Sequence, residues 1–180
     1  MGNVGGSSRT CSRCGRPSEQ DGICGKCAAE LPSPKSPSER AAEAIEHARN
    51  EMLRGKERGV MLEDAEDLLT GAKLMLDAHS YEDAIRIATE CGGIAEERIL
   101  QYEMLLNSIS RSQVKIRDAD EHGGDTKEAR SMLQKAQDAL KGADYKRGIT
   151  YAIRSADIAD KERKKYDSWK VEVGAYLKTK

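Results

Sequence analysis

Four of the five cysteines lie in two matched pairs near the start of the 180-residue chain. Cys11 and Cys14 form one Cys-x-x-Cys pair, and Cys24 and Cys27 form the other. Asp21-Gly22 between the pairs is a strong turn signal. Two such pairs can converge tetrahedrally on one Zn²⁺, which is the chemistry that this spacing most favours. Four thiolates would leave no open position for a catalytic water, so we expect one structural zinc ion.

The two pairs, Cys-Ser-Arg-Cys-Gly and Cys-Gly-Lys-Cys, resemble the knuckles of a zinc ribbon over residues 9–29. The resemblance implies a small metal-held module, which binds nucleic acid in some members of the family and proteins in many. Ala28 stands where the family often has Gly. Structural disulfides are less favoured because no secretory signal is recognisable, and a thioredoxin-like redox site because no strand precedes Cys11.

Basic residues lie near the cysteines in the sequence, and their role has two interpretations. They are Arg9, Arg13, Arg16 and Lys26. They could meet the phosphates of a nucleic acid. We favour the view that they offset the formal charge of −2 that four thiolates around Zn²⁺ carry. No aromatic residue precedes Tyr81, so this segment offers no side chain on which a base could stack.

A proline- and serine-rich linker covers residues 30–38 and leads into a segment of a different kind. Ser36 as N-cap, Pro37 at the first helical position and Glu39 form a helix-start signal. No proline follows Pro37, Phe is absent, and about a third of all residues are charged. This composition is typical of packed helices washed by solvent. We therefore predict an all-α domain over residues 39–180.

The helical region repeats itself with a period of about 64 residues. Residues one period apart are equivalent in the two copies, and the matched pairs are Ile45/Ile109, Gly59/Gly123, Ala65/Ala129, Leu69/Leu133, Ala72/Ala136, Leu76/Leu140, Tyr81/Tyr145, Ile85/Ile149, Ala88/Ala152, Ile94/Ile158 and Ala95/Ala159. They predict two three-helix units, repeat one over 39–102 and repeat two over 103–166. A terminal helix over 167–180 would be the truncated first helix of a third unit. Since neither Gly nor Pro lies between Ile94 and His122, the last helix of repeat one should continue into repeat two as one rod of about 40 residues and 60 Å.

Residues 65–95 and 129–159 resemble the helical hairpins of tetratricopeptide repeats, because Ala alternates with one large residue on the packed face. The period differs, at about 64 residues against the family's 34, and the closing proline is missing. The resemblance implies TPR-like hairpin packing and protein–protein interaction through a helical surface.

The C-terminal stretch combines aromatic and basic residues. Those expected on one helical face are Tyr166, Trp169, Val173 and Tyr176. This face either caps the helical stack or is presented to a partner or to a second copy of the chain. A basic patch beside it comprises Lys161, Arg163, Lys164 and Lys165, and residues 161–180 carry a local charge of +4. The patch could touch nucleic acid or an acidic protein, or be an ordinary solvated helix end.

Signatures of catalysis are missing from the rest of the sequence. His47, His79 and His122 have no spacing suited to a shared metal, and we interpret them as surface or capping residues. We interpret Cys91 as a small buried side chain at a close helix contact, with a reactive thiol as the alternative.

The sequence as a whole predicts a cytoplasmic, non-enzymatic, zinc-binding adaptor or scaffold that binds protein partners. A nucleic-acid-associated zinc-ribbon protein is the alternative, and a thiol redox protein is a third possibility. No apolar run reaches the length of a membrane span, so we expect no membrane partner. The net charge of −1 argues against nucleic-acid binding by bulk charge alone.

Overall fold

The computed structural model describes Cys11, Cys14, Cys27 and residues 35–178, with side chains in the last helix described as far as residue 173. The chain divides into two units, Met1–Ser36 and Pro37–Lys180. The described part of the second unit consists of five helices: α1 Pro37–Glu57, α2 Glu63–Asp77, α3 Tyr81–Glu121, α4 Lys127–Lys141 and α5 Tyr145–Lys178. Residues 35–178 contain no strand, so the all-α prediction is confirmed for that range.

Helix α3 is the central element of the second unit. It is 41 residues long, which confirms the predicted rod and corresponds to about 60 Å. The other four helices all pack against it. A single long element therefore fixes the relative positions of the helices on either side of it.

The helix ends follow the sequence signals closely. Helix α1 begins at Pro37, as predicted. Gly59 and Gly123 follow α1 and α3 with φ values of 77° and 78°, a left-handed conformation that glycine adopts without strain. Beside them, the Val60 amide donates to the Gly55 carbonyl and the Gly124 amide to the Ala119 carbonyl, each at 2.9 Å. These bonds satisfy carbonyl groups that a helix end would otherwise leave unpaired.

The start of α4 carries a capping pattern in the sequence, with Asp125 as the predicted N-cap and Glu128 three residues on. The N-cap is Thr126, whose Oγ1 donates to Asp120 Oδ1 at 2.5 Å. Asp125 accepts from the Lys127 backbone amide at 3.2 Å, the bond that a capping Asp makes two residues on, so the predicted capping interaction is present one residue before the assigned N-cap. Arg130 also reaches both Thr126 and the Asp120 carboxylate. The turn is thus held by an ion pair that spans it, which a local capping pattern does not reveal.

Helix bounds and turn conformations recur at the period found in the sequence. Both ends of α2 are equivalent to the ends of α4, and the first residue of α3 is equivalent to the first residue of α5. The left-handed positions match in the same way, because Gly59 corresponds to Gly123 and His79 to Ala143. The backbone of the two segments therefore turns at matching places.

One ion pair recurs in the second copy with its charges exchanged. Lys56 Nζ lies 2.7 Å from Glu66 Oε1 between α1 and α2. The equivalent residues, Asp120 and Arg130, form an ion pair between α3 and α4. The attraction across the turn is kept although both residues have changed sign.

The core is built from alanines and a few large side chains. A Cβ atom added at Gly92 of α3 would lie 3.7 Å from the Ala48 Cα of α1, so these two helices approach closely. The fully buried alanines are Ala41, Ala48, Ala65, Ala72, Ala84, Ala88, Ala95, Ala119, Ala129, Ala136, Ala152 and Ala159. Small residues at the contacts let the helix axes approach, and the larger side chains fill the remaining space.

Buried hydrogen-bond donors occupy equivalent places in α3 and α5. Cys91 is fully buried, which confirms the structural interpretation, and its Sγ lies 3.1 Å from the Ala65 carbonyl oxygen. Burial raises the pKa of the Cys91 thiol, which disfavours a reactive thiolate. Ser155, the equivalent residue in the second copy, donates to the Ala129 carbonyl at 2.6 Å and accepts from the Ser112 hydroxyl at 2.6 Å.

Because Ser112 donates to Ser155 and Ser155 donates to Ala129, substitution of the two serines should cost different amounts of stability. Ser155→Ala leaves the buried Ser112 hydroxyl without its acceptor and should cost about 1–3 kcal/mol. Ser112→Ala leaves the Ser155 bond to Ala129 intact and should cost only about 0.5–1.5 kcal/mol. Urea denaturation of both variants and of the double mutant measures the difference. Equal costs, or a strictly additive double mutant, would contradict the proposed donor order.

Candidate functional site

Three cysteines of the first unit come together in space. The sulfur atoms of Cys11, Cys14 and Cys27 all lie within 4.8 Å of one another. Cys11 and Cys27 are 3% and 6% exposed, whereas Cys14 is exposed. The fourth predicted ligand, Cys24, lies outside the described residues, as do Arg9, Arg13, Arg16 and Lys26.

The geometry of these three sulfurs fits a metal ion. Zn–S bonds of about 2.3 Å in a tetrahedron place sulfurs about 3.8 Å apart, within the observed limit. Three soft thiolate donors also suit Zn²⁺ better than Mg²⁺ or Ca²⁺, which prefer oxygen. The cluster can therefore hold a metal ion, and its donors would be the Cys11, Cys14 and Cys27 sulfurs in thiolate form.

The aromatic residues predicted at the C-terminus lie along α5. Tyr166 is half-buried, and its ring lies 3.4 Å from where a Cβ atom at Gly123 would be. Its ring centroid is 6.0 Å from that of Trp169, which is 58% exposed. Val173 is half-buried, and the side chain of Tyr176 lies outside the described residues. Tyr166 is thus anchored on the helical domain, whereas Trp169 projects into solvent.

Two of the four residues in the predicted basic patch form ion pairs. Arg163 forms an ion pair with Asp118 of α3 at 2.9 Å, and Lys165 pairs with Glu162 on its own helix. Lys161 and Lys164 lie, with Lys165, beside the exposed Trp169 in an open depression of about 500 Å³. Neighbouring carboxylates therefore offset part of the positive charge.

A cleft of about 510 Å³ lies where α2, α3 and the turn before α5 meet. Its charged groups are already paired: Arg98 contacts Asp64 at 2.9 Å, and Lys146 contacts Glu97 at 3.0 Å. The hydrogen bond from Lys146 is the main reason that the pKa of Glu97 lies below its usual value. These ion pairs link neighbouring helices, so the cleft is part of the contact between the helices.

Tyr145, which lines the same cleft, makes a hydrogen bond that the sequence does not predict. The buried Tyr145 hydroxyl accepts a hydrogen bond from the Met61 backbone amide at 3.1 Å. The Tyr102 ring packs edge-on against Tyr145, with centroids 5.6 Å apart. The repeat pairs Tyr145 with Tyr81, but the 84 residues between donor and acceptor put this hydrogen bond beyond any local pattern.

Two of the three histidines have the roles expected of them, and the third lies in an unexpected cluster. His122 ends α3, with Nδ1 2.7 Å from the Asp118 carbonyl, and His79 Nδ1 lies 3.0 Å from the Tyr81 hydroxyl in a turn. His47 lies with Glu51 and Glu96, and one donor atom from each falls within 4.8 Å of the others. Sequence spacing could have paired His47 with Glu51 at i,i+4 on α1, but not with Glu96 on α3.

None of the described helices has an apolar stretch long enough to cross a lipid bilayer. Comparisons with known protein families, with curated proteins and with solved structures find no match to this chain.

Proposed function

We propose that this protein is a non-enzymatic, zinc-binding adaptor that binds a protein partner through the C-terminal part of α5. The observation that carries the proposal is Trp169, the only tryptophan in the sequence, standing 58% exposed on that helix. An exposed tryptophan is a candidate contact residue, because tryptophan is enriched among the residues that dominate binding energy.

Zinc would give the first unit its stability. The cysteine cluster and the four-cysteine spacing support a zinc ribbon held by Cys11, Cys14, Cys24 and Cys27. A four-thiolate site keeps no open position for a substrate, so the metal would be structural. Zinc-binding thiols must stay reduced, which favours a cytoplasmic location.

The helical domain would serve as a rigid spacer made by duplication. Support comes from the matching helix bounds, the matching left-handed residues and the charge-exchanged ion pair at equivalent positions of the two copies. The TPR-like hairpins would be α2 with the start of α3, and α4 with the start of α5. A duplication that keeps its packing and lets its surface diverge favours a scaffold over an enzyme.

A protein partner is favoured over nucleic acid by the charge pattern around Trp169. Arg163 and Lys165 are already paired with Asp118 and Glu162, so the positive potential at this surface is reduced. The mixture of an indole, lysines and carboxylates suits a partner helix or loop that carries both apolar and charged residues.

Capture of partners from native-host extracts tests the proposal. The full chain should retain a protein from both untreated and nuclease-treated extracts, and Trp169→Ala should weaken this capture. Loss of a dominant aromatic contact costs at least about 2 kcal/mol, roughly a thirtyfold loss of affinity. Val114→Ala is the matched control, because Val114 is also 58% exposed but lies on α3. Equal capture by the two variants would contradict the proposal.

Nucleic-acid binding is the second candidate, favoured by the lysines that flank the exposed indole. An aromatic ring beside cations can stack a base while the cations contact phosphates. A salt titration with DNA and RNA separates the candidates. Tight binding that falls steeply with salt concentration would favour this second function, because phosphate contacts release counterions.

A further inference from the structure

We infer that His47, Glu51 and Glu96 form a second metal site, for a first-row divalent cation such as Zn²⁺, between α1 and α3. His47 and Glu51 lie one turn apart on α1, and Glu96 faces them from α3. One imidazole nitrogen and two carboxylate oxygens form a mixed donor set that suits Zn²⁺, Mn²⁺ or Fe²⁺. Three protein donors leave further coordination positions open to water or a small anion.

The distances between the donor atoms are compatible with one ion. The donor atoms lie within 4.8 Å of one another, whereas tetrahedral zinc at about 2.1 Å from each requires separations of about 3.4 Å. Side-chain rotations of the exposed His47 and Glu96 can supply the difference. His47 also leans towards α3, because its Nδ1 lies 3.7 Å from where a Cβ atom at Gly92 would be.

The equivalent positions in the second copy hold a cation. Glu51 corresponds to Lys115, and Glu96 corresponds to Asp160. Lys115 Nζ lies 2.7 Å from Asp160 Oδ1, so an ammonium group stands at this inter-helix position in the later segment. In the earlier segment both positions carry carboxylates, Glu51 and Glu96, and His47 lies beside them. A metal ion would supply to Glu96 the positive charge that Lys115 supplies to Asp160 in the other copy.

The neighbouring arginine supports one of the proposed ligands. Arg54 Nη1 donates to both carboxylate oxygens of Glu51, at 2.9 and 2.7 Å. This bond fixes the orientation of the Glu51 carboxylate, as outer partners of metal-binding carboxylates commonly do. Among the described residues, His47 and Glu96 have no hydrogen bond or ion pair that would compete with a metal.

Isothermal titration calorimetry of the full, reduced chain with Zn²⁺ tests the site. We expect two binding events, a tight one that Cys11→Ser removes and a weaker one that Cys11→Ser leaves unchanged. His47→Ala and Glu96→Gln should lower the affinity of the weaker event by at least about tenfold, since changes in the outer shell alone cost that much. Glu90→Gln, an exposed α3 carboxylate outside the cluster, and His122→Ala are the matched controls and should leave it intact.

Glu51→Lys provides the sharpest variant, because it recreates the pair that Lys115 makes with Asp160. We expect it to abolish the weaker event, while the lost pair with Arg54 should lower the melting temperature without metal slightly. In the wild-type chain, zinc should shift the NMR resonances of the His47 imidazole. Absence of a second event in the wild-type chain would overturn the inference. So would a second event of equal affinity in the His47→Ala and Glu51→Lys variants, since it would be adventitious binding to carboxylates.

Discussion

Leu105→Ala should lower the free energy of unfolding of the helical domain by about 2–5 kcal/mol. Leu105 is the largest fully buried side chain among the described residues, and its methyl carbons occupy the space above Gly148 of α5. A Cβ atom at Gly148 would lie 2.6 and 2.9 Å from these two carbons. The leucine therefore fills a space that exists only because residue 148 has no side chain.

The same contact predicts that Gly148→Ala destabilises the wild-type chain but stabilises the Leu105→Ala chain. In the wild-type chain the added methyl group overpacks the core, which costs about 1–3 kcal/mol. At so close a contact we expect the upper part of this range, which outweighs the helix-propensity gain of about 1 kcal/mol. In the Leu105→Ala chain the methyl group enters a vacated space and should stabilise the domain. The equivalent positions in the first copy, Ala41 and Ala84, are both fully buried alanines, so the double mutant reproduces that combination.

Denaturant unfolding of the four chains of this cycle measures the coupling, which should be at least about 1.5 kcal/mol. Gly93→Ala is the control: Gly93 lies within α3, and nothing lies within 4 Å of the added methyl group. It should stabilise the chain by up to about 1 kcal/mol through helix propensity alone. Additive effects of Leu105→Ala and Gly148→Ala would show that the two residues do not share one packed site.

Loss of zinc should unfold the cysteine module and leave the helical domain intact. Zinc binding in finger peptides is worth on the order of 10–16 kcal/mol, far more than so short a segment gains from its own core. Cys11→Ser or Cys27→Ser should remove the cysteine-bound zinc and make residues 9–29 sensitive to protease. The melting temperature of the helical domain should not change, because Met1–Ser36 and Pro37–Lys180 are separate units.

The fifth cysteine gives this experiment a matched control. Cys91 is buried between helices of the other unit, so Cys91→Ser should keep the zinc while changing the stability of the helical domain. Ser155 shows that a hydroxyl can make the equivalent bond to a helix carbonyl. A Cys11→Ser chain that keeps its full zinc content and protease resistance would contradict the cysteine site.

Helix bounds were predictable because the signals that end helices are local. Pro37, Gly59 and Gly123 fix φ or permit left-handed backbone at their own positions, and the structure places helix ends beside each of them. The rod α3 followed from the lack of any such signal over a long stretch. The closeness of Cys11, Cys14 and Cys27 likewise follows from two Cys-x-x-Cys pairs that lie near each other in the sequence.

The pairings between distant side chains were not predictable. Periodicity assigns a residue to a helix face, but it does not say which side chain of the neighbouring helix it meets. Ser112 with Ser155, and His47 with Glu96, are joined only by the packing of α3 against α5 and α1. The contact of Asp120 with Arg130 and Thr126 before α4 was equally beyond a local pattern, because it joins residues outside the capping motif.

Photo-crosslinking in the native host tests the adaptor function most directly. A photoreactive amino acid at position 169 should form a covalent adduct with another protein, whereas the same group at position 114, where Val114 is equally exposed, should not. An adduct at position 169 that contains nucleic acid or a second copy of this chain would contradict the proposed adaptor. So would equal crosslinking from the two positions.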